Sequence, residues 1–181
     1  MNDSKAPPSS PRWSRSSERA ALLAIYAETD GLLGGWTCGC SHADVEGSTE
    51  PPCCHFAVTG REPYPTAVEL EEVRHAVRAA GGPPRDARSL PILDLRPCPL
   101  LSRDGRCRIY AARPFGCRTF FCDHAEGPSS AKRARRRFPR DEVNALGRRI
   151  ADLSARFAPR DPGPRPLVKA LAAAWKGRQG A

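Results

Sequence analysis

The chain has 181 residues, 40% of them apolar and 27% charged, with a net charge of +9; this is the profile of one globular domain with appendages. No apolar run approaches the roughly 20 residues that cross a bilayer, and the opening MNDSKAPPSSPRWSRSS lacks the apolar stretch of a secretory leader, so the expectation is a cytoplasmic chain with no membrane partner. Eight cysteines in such a chain point to metal ligation rather than to a disulfide scaffold.

Residues 1–17, rich in Ser, Pro and Arg, read as a disordered arm. Leu22, Ile25, Tyr26 and Leu33 share one stripe, which predicts a helix over 18–33 ended by Gly34-Gly35. The first cysteine group, Cys38, Cys40, Cys53 and Cys54, spans a polar loop, and the alternation from His55 to Thr59 predicts a short strand. Thr66-Ala-Val-Glu69 has the form of a capping box, opening a helix over 67–80 with Leu70, Val73, Val77 and Ala80 on one face. Gly81-Gly82 and Pro83-Pro84 stop it.

Two β-like runs follow, Leu90–Leu95 and Cys107–Tyr110, with Asp104-Gly105 as the turn before the second. The second cysteine group, Cys98, Cys107, Cys117 and Cys122, lies in this stretch. Residues 126–140 form a basic linker. Val143, Leu146, Ile150, Leu153 and Phe157 alternate at steps of three and four and predict a helix over 141–157. A last helix opens at Pro166 and carries Leu167, Leu171, Ala174 and Trp175. The expected class is α+β: a small, irregular, metal-centred cysteine-cluster domain over 18–125, with short strands and about four helices, and C-terminal helices over 141–181 packing on it.

Isolated buried cysteines belong on helix or strand faces. Here two are adjacent, Cys53-Cys54, and one sits between prolines, Pro97-Cys98-Pro99, which denies it a regular ladder. Cys117 and Cys122 are spaced wrongly for one helix face. No paired C-x-x-C knuckle of a zinc finger and no C-x-x-C redox motif is present. His55 and His124 each lie within two residues of a cysteine, and a bystander role is expected of both; His75 belongs to the predicted helix.

The runs Cys98-Pro-Leu-Leu, Gly105-Arg-Cys107-Arg-Ile-Tyr110 and Arg113-Pro114-Phe-Gly-Cys117-Arg118 closely resemble the second half of the YkgJ-type cysteine-cluster family, a zinc- or iron-chelating domain. Cys53-Cys54, with the strand and the Thr66…Glu69 helix after it, is similar to the family's first half, so the resemblance covers roughly residues 36–122. Cys38-Gly-Cys40 and the gap before Cys53 depart from the family's C-x-x-C-x-x-C-C start, and Cys40 falls outside the expected ligand set. The resemblance implies chelation of zinc or iron, with an iron–sulfur cluster included, by Cys38, Cys53, Cys54, Cys98, Cys107, Cys117 and Cys122, and no particular reaction.

Four thiolates on zinc or on an oxidised four-iron cluster leave a net charge of −2, so either centre needs donors and positive charge nearby. Arg113 and Arg118, interleaved with Cys117, are expected to supply them, and Phe115, Phe120 and Phe121 to exclude water. There is no nucleophile–base pair, phosphate loop or paired-carboxylate motif, so an enzyme is not expected. The alternative reading is a metal-stabilised nucleic-acid-binding protein. KRARRRFPR over 132–140 includes Lys132, Arg133, Arg135, Arg136 and Arg137, holds no acid, and removing it takes the net charge from +9 to +3. A solvated linker explains the same run.

Overall fold

A computed structural model describes residues 13–34, 37–38, 54, 56, 60–83, 98–102, 106–120, 125–126 and 138–176. Among these, a 3-10 turn Trp13–Arg15 leads into α1 (Ser17–Leu33), and four further α-helices follow: α2 (Ala67–Ala79), α3 (Phe115–Arg118), α4 (Arg140–Phe157) and α5 (Leu167–Lys176).

Local chemistry sets the helix ends. The Ser16 hydroxyl accepts the Arg19 N–H at 3.1 Å and caps α1. The capping box at α2 is formed, with the Thr66 N–H donating to Glu69 Oε2 at 2.8 Å. At the other end of α2, Gly81 and Gly82 take φ of +88° and +93°, and the Gly82 N–H returns to the Val77 carbonyl at 2.8 Å. Only glycine accepts that pair of left-handed positions cheaply. Asp141 and Glu142 in the first turn of α4 and Arg156 in its last complement the helix dipole.

The apolar stripes expected of the helices are buried except at their ends, where Ala80 is exposed and Phe157, Ala174 and Trp175 are half-buried, and they build two clusters. Leu22, Ile25 and Tyr26 of α1, Val68 of α2 and Leu146, Ile150 and Leu153 of α4 form the first, with Trp13. Trp13 meets Phe157 edge-on, with ring centroids 5.3 Å apart. Leu70, Val73 and Val77 of α2 form the second with Leu100, Ile109 and Ala112 of the cysteine-bearing segment and Leu167, Ala170 and Leu171 of α5. A strap of hydrogen bonds seats α5: Arg165 N–H to Pro65 O, Leu167 N–H to Pro63 O, both 3.1 Å, and Val168 N–H to Glu62 Oε1 at 2.7 Å. Proline carbonyls serve as acceptors although proline donates nothing.

One expectation is corrected. The class is helical, not α+β with short strands. Extended pairing among the described residues is confined to a two-residue antiparallel contact, β1 (Thr37–Cys38) with β2 (Ala125–Glu126), and a single bridge between Leu101 and Cys107. The apolar run Cys107–Tyr110 turns on itself instead of extending. Tyr110 N–H bonds Cys107 O at 3.2 Å and Ala112 N–H bonds Ile109 O at 2.8 Å, the short-range pattern of a 3-10 turn. A short apolar run satisfies helix and strand templates equally, and packing on α2 decides here. Phe56 has helical backbone conformation; the remaining residues of the His55–Thr59 strand, and all of Leu90–Leu95, lie outside the described residues. Trp13, inside the stretch expected to be an arm, is 4% exposed. A lone tryptophan among Ser, Pro and Arg has no periodicity to betray its burial.

Candidate metal centre

The cysteines of the two groups meet along the backbone. The Cys98 N–H donates to the Cys54 carbonyl at 2.7 Å. From Cys98 the chain turns, with Leu101 N–H on Cys98 O at 2.9 Å, and comes back through the Leu101–Cys107 bridge and Arg108 N–H on Leu100 O at 2.9 Å. The hairpin expected around Asp104-Gly105 is thus reduced to one rung. Its position is set by Arg108, whose guanidinium donates to the carbonyls of Ala80 at 2.7 Å and Gly82 at 3.1 Å. A cation there satisfies orphan carbonyls at the negative end of α2. Cys98 and Cys107 pack against the second cluster beside Phe56 and Trp175, and Cys54, Cys98, Cys107 and Cys117 are all half-buried.

β1 pairs Cys38 with Ala125, three positions beyond Cys122 in sequence. The side chain of Cys38, and Cys40, Cys53, Cys122, His55 and His124 altogether, lie outside the described residues, as do Lys132, Arg133, Arg135, Arg136, Arg137 and Phe121. Among the described residues no three His, Cys, Asp or Glu side chains are grouped to hold an ion.

Cys117 lies on α3, a single turn held from both neighbours. Glu69 Oε1 accepts the Phe115 N–H at 2.7 Å at the start of the turn. Arg118 at its end is buried; its Nε donates to Arg113 O at 2.9 Å, one terminal nitrogen donates to Asp30 of α1 at 2.5 Å and the other to Ala111 O. The same guanidinium lies 4.1 Å from the centre of the Tyr26 ring. Arg113 stacks 4.0 Å over Tyr110 and reaches Asp30 at 3.9 Å. Both arginines therefore fasten the Cys117 turn to α1, and Arg118 spends its donors on Asp30 and carbonyl oxygens. Phe115 packs on the first cluster, and its ring approaches α4 where Gly147 leaves room: a Cβ at 147 would stand 3.3 Å from it.

A set of buried carboxylates on α2 was not expected as such. Glu69, Glu71 and Glu72 are 3%, 6% and 2% exposed. Glu72 accepts from Trp13 Nε1 at 2.9 Å and from both faces of the Arg19 fork at 2.7 and 3.0 Å, a bidentate pair of the strong kind. Its hydrogen bond raises the pKa of Arg19 above the ordinary value. Glu71 pairs with Arg74 at 3.2 Å. Glu69 accepts from Thr66, from Phe115 and from the Tyr26 hydroxyl at 3.2 Å. Burial, and next the charge of Glu69, push the Tyr26 phenol well above its ordinary pKa of 10.0. Only the capping box marks Glu69 in the sequence; Glu71 and Glu72 read as a solvated face.

A groove of about 310 Å³ between α1 and α4 is lined by Ala21, Ala24, Ile25, Arg149, Asp152, Leu153 and Arg156, and holds no cysteine. No helix among the described residues is long and apolar enough to cross a membrane.

No protein-family model, no curated protein and no solved structure matches the chain. The likeness to the YkgJ-type cluster rests on the residues that carry it.

Proposed function

We propose that this chain is a metal-binding protein that chelates zinc or an iron or iron–sulfur centre through cysteines drawn from both groups. The observation that supports the reading is the 2.7 Å backbone hydrogen bond between Cys98 and Cys54, which joins the two segments at their cysteines. Soft thiolates suit zinc and iron–sulfur centres alike. Cys54, Cys98, Cys107 and Cys117 are the described donors of this proposal, with Cys38, Cys53 and Cys122 completing it. Metal analysis and a visible spectrum of protein purified without air test it. Stoichiometric zinc with no visible band, or iron with a thiolate-to-iron band, supports it; a metal-free, colourless and folded protein overturns it. Single serine variants rank the ligands: loss of metal is expected at Cys53, Cys54, Cys98, Cys107 and Cys117, and retention at Cys40.

A second reading, nucleic-acid binding, is favoured by one observation. α4 begins at Arg140, the last residue of the basic run, and continues with exposed Arg148 and Arg156. Binding that weakens steeply with salt is its expected signature; no binding at low salt removes it.

A further inference from the structure

We propose that Cys54 and Cys98 form a dithiol–disulfide pair oxidised by peroxide. The two residues are more than forty positions apart in sequence, yet the Cys98 N–H bonds the Cys54 carbonyl at 2.7 Å. With standard bond lengths, that contact keeps the two Cα atoms at most about 6.5 Å apart, within the upper limit of roughly 6.8 Å that a disulfide spans. The fold has already closed the loop, so the link forms without the chain-closure entropy it would otherwise cost. Both residues are half-buried, neither sealed from a small oxidant nor fully exposed. Cys98 is anchored by its packing on the second cluster and by the turn to Leu101, which keeps the pair in register.

The chemistry is that of a peroxide, which supplies the two-electron oxidant. One thiolate attacks the O–O bond; it becomes a sulfenic acid and hydroxide leaves. The second thiol attacks that sulfur, the S–S bond forms and water leaves. In sum, two thiols and one peroxide give one disulfide and two waters. On the metal-binding reading above, and only on it, the same step withdraws two ligands and releases the metal; the disulfide itself does not depend on that reading.

The experiment treats the full chain with hydrogen peroxide, alkylates it without reduction and maps linked peptides by mass, on protein as purified and again after chelation. The expected result is a linked pair containing Cys98 and a loss of two alkylatable thiols per chain. The link persists in Cys53→Ser and vanishes in Cys54→Ser, which resolves the adjacent cysteines. Cys98 joined to any other cysteine, or Cys98 oxidised without a link in the chelated protein, overturns the pair. The two readings separate cleanly: a link in protein that never carries metal sinks only the metal proposal, and bound metal in a chain that forms no link after chelation sinks only this one.

Discussion

The two apolar clusters lie against the same helix, α2, and are built in different ways. The first is helix on helix: regularly spaced side chains of α1 and α4 close over Val68, and Trp13 and Phe157 flank them. The second sets one face of α2 against irregular chain, where Leu100, Ile109 and Ala112 are supplied by turns and the bordering residues include Cys98 and Cys107. Helix packing secures the first side by itself. The second relies on point attachments: the Arg108 fork, the Cys54–Cys98 hydrogen bond and the proline strap under α5. Stability is thus uneven across α2, and any cross-link through the cysteines acts on the weaker side.

The largest expected effect follows from removing metal from the metal-loaded chain. A structural thiolate site contributes on the order of 10 kcal/mol, and here it would fall chiefly on the second cluster, against which Cys98 and Cys107 pack. Amide exchange is expected to lose protection over residues 98–112 and in α5 while α1 and α4 keep theirs. Equal loss on both sides of α2 would erase the distinction.

Glu69→Ala comes next, because Glu69 ties α2 to Tyr26 of α1 and to the turn that carries Cys117. It leaves the N–H groups of Thr66 and Phe115 and the Tyr26 hydroxyl without their acceptor. The cost is expected to be on the order of 3–5 kcal/mol in urea unfolding. A loss under about 1 kcal/mol, the scale of a single exposed cap, would mean that Glu69 serves α2 alone.

That variant also marks how far the sequence is legible. The stripes Leu22–Ile25–Tyr26, Leu70–Val73–Val77 and Val143–Leu146–Ile150–Leu153 announce their helices because a repeat of 3.6 leaves one face apolar, and all of these residues are buried. Glu71 and Glu72 defeat the same rule: carboxylates read as solvent-facing, yet Glu71 pairs with Arg74 on its own helix and Glu72 is covered by Trp13 and Arg19 arriving from the N-terminal side. The strand expected at Cys107–Tyr110 failed for a related reason, since a four-residue apolar run carries no period long enough to choose between turn and ladder. For the candidate site, the sequence shows the cysteine spacing but not where Arg118 goes. Its Asp30 partner lies on a helix that carries no cysteine motif.

A smaller effect appears at high pH on the first side. The folded pKa of Tyr26 lies above its unfolded value of about 10, so folded protein holds the proton more tightly. That stabilisation is complete below pH 10 and is lost as pH rises through the folded pKa, at up to about 1.4 kcal/mol per pH unit for one proton. Tyr26→Phe is expected to flatten the alkaline limb of stability by that slope. An unchanged limb would show that Tyr26 titrates alike in both states.

The smallest expected effect is at the basic run. Replacing Lys132, Arg133, Arg135, Arg136 and Arg137 by glutamine should leave metal content unchanged and shift stability by less than about 0.5 kcal/mol, as surface changes do. If the chain binds nucleic acid, the salt dependence of that binding should become shallower in the same variant.

The strap that seats α5 has a consequence for how the protein is made. Leu167 and Leu171 complete the cluster on which Cys98 and Cys107 rest, and they are synthesised some sixty residues or more after those cysteines. At about 5–20 residues per second, the cysteines wait on the order of several seconds after their own synthesis before that cluster can close. During that interval their thiols lack the cluster that later half-buries them, so their chemistry depends on the timing of synthesis as well as on the finished fold.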